Sequence, residues 1–161
     1  MIGASEARTA AGPEVQGAPA RIDPDFAVFH GAALGEPVLV YDVTRQPSYW
    51  TVPVVRTGRV VGFVRVSGTG EVEAVGSYCR EISRLSQCPE TLTRISAGEA
   101  ERRAAALFEP SAGETASPPL YVYDGCPGQE AWLVEISARG RPVCRIFITA
   151  AEEYERPVDP H

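Results

Sequence analysis

The chain has 161 residues, 44% hydrophobic and 22% charged, which suits one domain or two small fused ones with a packed core. Its net charge of -6 argues against a nucleic-acid partner, because phosphate binding depends on basic patches. No stretch approaches the roughly 20 apolar residues of a membrane span, so no membrane partner is expected.

All 15 basic residues are arginine, and lysine and asparagine are missing. That bias suits a GC-rich, bacterial genome and removes chemical meaning from Arg-for-Lys choices. Residues 1–21, "MIGASEARTAAGPEVQGAPAR", are small, polar and rich in Gly and Pro. They are expected to form a disordered lead, without the apolar core of a signal peptide, and a cytoplasmic location follows as the expectation.

The first ordered element is expected in "DPDFAVFHGAAL", with Asp23 as N-cap and Pro24 at the first helical position. "VLVYD" is a short strand. "YWTVPVV" alternates, with Trp50, Val52 and Val54 on one face, and therefore reads as a half-buried strand. "RTGR" is a tight turn in which Gly58 takes positive φ. "VVGFVRV" returns, and "GEVEAVGSY" is a fourth strand. "YCREISRLS" reads as a connecting helix ending near Pro89, and "SAGEAERRAAALF" as a helix with Ser96 and Glu99 at capping-box spacing. After the loop "EPSAGETASPP" come the strands "LYVYD", "AWLVEIS" and "PVCRIFI", with Gly140 in the turn "ARGR". "EEYERPV" leaves the last strand short or absent.

These segments repeat. Pro37–Val66 aligns with Pro119–Ile148 without a gap, pairing Asp42 with Asp124 and Trp50 with Trp132 at a constant offset of 82 positions. Nine of 30 aligned residues are identical, where chance gives about two. The sequence therefore predicts an α+β protein of two tandem helix-plus-antiparallel-sheet repeats with pseudo-twofold symmetry. The expected boundaries are 22–77 for the first repeat, 78–95 for a connecting helix and linker, and 96–161 for the second.

A helix followed by an antiparallel meander resembles a cystatin-like layer. "YWTVPVVRTGRVVGFVRVSGTGEVEAV" resembles the end of a PepSY-type module: an aromatic-led valine strand, a Gly turn, a returning strand and a "TGEV" turn. Tyr49, Trp50, Val52, Val54, Gly58, Val66, Thr69, Gly70, Glu71 and Val72 carry that pattern. The second copy keeps the Trp–Val–Ile strand and Gly140 but lacks "TGEV". The resemblance implies a binding or inhibitory domain of the kind linked to peptidases, and such modules are usually exported.

No nucleotide-binding or nucleophile-elbow motif is present, and no catalytic residue, cofactor or metal is assigned. Cys79, Cys88, Cys126 and Cys144 form no CxxC, and only His30 and His161 could join them as nitrogen ligands. Buried or idle thiols are one reading; a Cys79–Cys88 disulfide in an oxidising compartment is another. His30, beside Phe29 in the expected helix, suits an orienting or partly buried role.

The sheet faces are more informative. One face, with Trp50, Val52, Val54, Val64 and Val66, should bury against a helix. The other places Tyr49, Val55, Val61, Phe63 and Arg65 together, and Val143, Arg145 and Phe147 in the second copy. Mixed Phe/Arg/Tyr faces suit interface centres. They meet each other within the monomer or a homodimer, or they meet an external protein. Tyr49, Arg59, Phe63, Arg65, Arg145 and Phe147 are the candidate binding residues. The tail "EEYERPVD" is an alternative partner for the first hairpin's arginines.

The leading expectation is a non-catalytic protein-binding module, a peptidase inhibitor or immunity-type protein. One alternative is a cystatin-like cone holding a small molecule among Tyr41, Asp42, Trp50, Tyr123, Asp124 and Trp132. Another is a small enzyme or isomerase using Asp42 and Asp124.

Overall fold

A computed structural model describes residues 1–17, 23–108 and 111–158. They form a mixed α+β structure with ten strands, two α-helices and two 310 turns. The chain divides into two compact units, Met1–Val40 with Pro47–Leu92, and Tyr41–Gln46 with Thr93–His161. The expected linker 78–95 is thus not a separate element. Most of it belongs to the first unit, while 41–46 groups with the second.

The first unit opens on helix α1 (Ala4–Gln16), where a disordered lead is expected from composition. Gly12 and Pro13 read as helix breakers. Yet Ala7, Ala11 and Val15, spaced four apart, lie on one stripe and are fully or nearly buried. Packing of that stripe against the sheet outweighs the poor propensity, and Pro13 falls in the last turn, whose own carbonyl accepts from Gly17 N–H at 2.7 Å. Residues 18–21 of the expected lead lie outside the described residues.

"DPDFAVFHGAAL" is not an α-helix. Asp23 caps a 310 turn, Pro24–Phe29, by accepting from Asp25 N–H at 2.9 Å. The chain then enters strand β1 (Ala33–Leu34). His30 is exposed where the turn ends, contrary to the partly buried role expected. Strand β2 (Val38–Tyr41) precedes the meander β3 (Pro47–Arg56), β4 (Arg59–Ser67) and β5 (Val72–Ser77). β3 pairs antiparallel with β4, and β4 with β5; β1 pairs with the far end of β3. Thr57 and Gly58 both take positive φ, 48° and 75°, in the two-residue turn between Arg56 and Arg59. Val52, Val54, Val64 and Val66 face the helix as the alternation predicts. Val61 joins them rather than Phe63. A β-bulge at Val54/Val55 sets Gly62 opposite Val54 and Val60 opposite Val55, and the residue between them turns inward. The expected helix at 78–86 is a 310 turn, Ile82–Gln87.

In the second unit, helix α2 (Ala97–Leu107) starts as predicted, with Ser96 Oγ accepting from Glu99 N–H at 3.1 Å. Strands β6 (Glu114–Ala116), β7 (Leu120–Tyr123), β8 (Glu130–Ala138), β9 (Arg141–Ile148) and β10 (Glu153–Pro157) follow. β7, β8, β9 and β10 pair antiparallel in sequence, and β6 pairs with β8. Tyr41 pairs in parallel with Val122. The final strand, expected to be short or absent, has five residues along β9. Val134, Ile136, Ile146 and Ile148 meet Ala100 and Ala104 of the helix; Val122, Ala131, Leu133 and Phe147 form a second apolar cluster on the other face. No helix among the described residues is long and apolar enough to cross a membrane.

Candidate functional site

Two exposed apolar side chains of the first unit lie close together in the chain after β5. Tyr78 and Ile82 are 39% and 51% exposed, where residues of their type normally bury. They sit at and within a segment closed by a Cys79–Cys88 disulfide, with Cα atoms 6.3 Å apart. Of the two readings open for these thiols, the structure holds the disulfide. Cys88 is buried and anchors one end in the core, with Leu85 packed beside it.

Backbone bonds tie both ends to β4. Tyr78 N–H donates to Val61 O at 2.8 Å, and Val60 N–H donates to Pro89 O at 2.8 Å. Arg59 reaches the same segment, donating to Cys88 O at 3.3 Å and pairing with Glu90 at 3.2 Å. This candidate binding residue is therefore a clamp for the loop. Around Ile82 stand the mostly exposed Arg80, Glu81 and Arg84; Arg84 pairs with Glu81 and Arg80 with Asp25. An apolar tip within a charged rim, on a covalently closed loop, is pre-organised for contact.

The sheet face proposed from the sequence is less available. Tyr49 is only 3% exposed, with the Arg65 guanidinium 4.8 Å from its ring centre. Phe63 is half-buried and lies 5.7 Å from the Tyr78 ring. A Cβ at Gly76 would come within 2.5 Å of Phe63, so that glycine makes room for the ring. Arg145 pairs with Glu135 across β8 and β9 at 3.4 Å. Phe147 is 1% exposed and stacks on Tyr154 at 5.1 Å. Tyr49 and Phe147 are corrected from contact residues to buried ones, because the chain itself covers them.

The tyrosine–aspartate pairs diverge. Asp42 closes its own turn, its Oδ1 accepting from Thr44 N–H, Thr44 Oγ1 and Gln46 N–H at 2.7–2.9 Å. Burial raises its carboxyl, but the hydrogen bonds from Thr44 and Gln46 outweigh that and leave it below the usual carboxylate range. Asp124 is buried, and its Oδ2 accepts from Tyr154 OH and meets Arg156, both at 2.7 Å. Burial, then the bond to Asp124, push the Tyr154 phenol up to about 12. Sequence reasoning missed Tyr154 and Arg156 because it left the last strand in doubt; once β10 exists, period two sets both on Phe147's face.

The expected tail-to-hairpin pairing gives way to bonds within the second unit, Arg156 to Asp124 and Arg103 to Glu153. Tyr41 packs beside Val122 and Leu133, and Tyr123 is half-buried at the end of β7. Trp50 donates from Nε1 to Ile2 O at 3.0 Å, and Trp132 to Ile95 O at 3.1 Å. Both indoles brace a helix start rather than stack around a cone. Cys126 is exposed and Cys144 half-buried, both as free thiols. His161 lies outside the described residues.

No family model, curated protein or solved structure matches the chain.

Proposed function

We propose that the chain is a tandem duplication of a cystatin- or PepSY-like unit with pseudo-twofold symmetry, acting as a non-catalytic protein-binding module of the inhibitor or immunity type. The duplication reading is supported by backbone irregularities that recur at the sequence offset. The bulge at Val54/Val55 returns at Ile136/Ser137. The positive-φ pair Thr57–Gly58 returns at Arg139–Gly140. Strand β1 returns as β6, each bonded to the far end of the long strand.

The binding reading rests on one observation: Ile82 and Tyr78 are exposed on a loop that a disulfide and Arg59 hold in place. Asp42 and Asp124, each bonded within its own surroundings, favour binding over carboxylate chemistry. The same disulfide favours an oxidising compartment over the cytoplasm.

The test is capture from source-organism lysate by the native chain and by the Tyr78→Ser/Ile82→Asp variant, followed by titration of any captured protein. The expected result is a partner retained by the native chain and weakened at least tenfold by the variant, with circular dichroism unchanged. Retention unaffected by the variant would remove this loop as the contact surface.

A further inference from the structure

The second unit contains a cleft of about 160 Å³ between α2 and the strands, lined by Glu101, Ala104, Phe108, Ala116, Val134 and Ile136 among others. Its origin emerges when the units are compared position by position. The carbonyls of Ile2 and Ile95 take the same indole bond, which aligns the helices: Ala7 with Ala100, Ala11 with Ala104, Arg8 with Glu101. Strand register aligns Leu34, opposite Val54, with Ala116, opposite Ile136. The bonds flanking these positions also match, Gly35 N–H to Pro53 O at 2.8 Å and Ser117 N–H to Glu135 O at 2.9 Å.

In the first unit this place is filled. Leu34 packs on the core, and the Arg8 guanidinium donates to Leu34 O at 2.7 Å and pairs with Glu36 at 3.5 Å. In the second unit Leu34 is replaced by exposed Ala116, and Arg8 by exposed Glu101. The branched apolar group is missing, and the charge beside it is reversed. The correspondence is geometric and stands apart from the loop of the first unit.

We propose that this cleft binds a small organic cation carrying a short branched apolar chain. The apolar part takes the place of the Leu34 side chain, between Ala104, Phe108 and Ile136. The cationic head takes the place of the Arg8 guanidinium, facing Glu101. The size agrees: an apolar cavity of roughly 150 Å³ holds one small ring or its equivalent.

Isopentylguanidinium is the probe, with isovalerate as an anion of similar carbon skeleton, in NMR titrations of the labelled full chain. Saturable shifts at the methyls of Ala104, Ala116 and Ile136 are expected with the cation, and at least tenfold weaker binding with the anion. Ala116→Leu should abolish binding and raise the melting temperature by filling the space. Should that variant misfold, Glu101→Gln keeps the test open: it should weaken the cation several-fold and leave the anion unchanged. Absence of saturable shifts, equal binding of both probes, or undiminished binding by the variants would overturn the assignment. A Leu–Arg peptide that binds where isopentylguanidinium does not would also overturn it, placing a partner's side chains there.

Discussion

The two units set one helix on one hairpin and close it with different chemistry. In the first, the helix face is sealed by apolar insertions. Val28 and Phe29 from the 310 turn are 0% and 1% exposed, and Phe29 lies directly on the backbone of Gly62. In the second, the position 82 residues on is Cys144, a half-buried side chain, and the apolar turn has no counterpart among the described residues. Polar ties appear instead. On the helix side Arg103 pairs with Glu153 and donates to Thr149 O at 2.8 Å, and on the opposite face Asp124 holds Tyr154 and Arg156. Even the cross-strand pair Pro53–Phe63 is replaced by the ion pair Glu135–Arg145. In each unit the closure of the sheet thus rests on a few side chains, apolar in the first and polar in the second.

The largest effect should come from reversing the Gly62/Cys144 difference. A Cβ at Gly62 would lie 2.3 Å from Gly76 O and 2.5 Å from the Phe29 ring. Gly62→Ala is therefore expected to destabilise the chain by about 3 kcal/mol, since neither the backbone nor the packed ring can yield cheaply. Cys144→Ala, which removes one atom from a half-buried site, should cost about 1 kcal/mol or less. Urea unfolding of both variants provides the check, and similar midpoints would show that Phe29 is not seated on Gly62.

A smaller difference separates the paired aspartates. Asp124→Ala removes a buried acceptor and leaves the Tyr154 hydroxyl without its bond, at a cost of about 2 kcal/mol. Asp42→Ala loosens a partly exposed turn and should cost about 1 kcal/mol. Equal losses in thermal unfolding would mean that both residues serve only as turn formers.

Much of this contrast lies beyond what one-dimensional patterns carry. The long strands were legible because valine alternates with other residues over whole elements, and the turns because Gly58 and Gly140 sit where positive φ is required. Helix α2 was legible through Ser96 and Glu99. Helix α1 was not, because its buried stripe is made of Ala7 and Ala11, which carry little hydrophobic signal, and Gly12–Pro13 mask Val15. A comparison of "IGASEA" with "ISAGEA" would have revealed it, but at an offset of 93 rather than 82. Val61 faces the helix, opposite to what its alternation predicts, because one extra residue in a bulge inverts a period of two. Burial of Tyr49 and Phe147 was illegible for another reason: an alternating strand shows that a face is mixed, and only the tertiary structure shows what covers it.

The smallest expected effect separates the units by pH. Tyr154 keeps its proton to about 12 in the folded chain, first because it is partly buried and then because Asp124 accepts its hydrogen bond. The unfolded chain releases that proton near its ordinary value of 10. Between these values the folded state binds more protons than the unfolded one, so stability must fall as pH rises. The contribution is fully present below pH 10 and lost as pH passes through about 12. The position 82 residues before Tyr154 in the first unit is Val72, an exposed valine with no proton to hold. Hydrogen exchange should therefore show the second unit loosening first under alkali. Tyr154→Phe should flatten the extra alkaline loss seen in urea midpoints between pH 9 and pH 11, a window set around the unfolded phenol value. The other five tyrosines are common to both proteins and cancel in the difference. A Tyr154→Phe variant that loses stability with pH as steeply as the native chain would show that Asp124 does not hold the phenolic proton, leaving the stacking on Phe147 as the tie between β10 and the sheet.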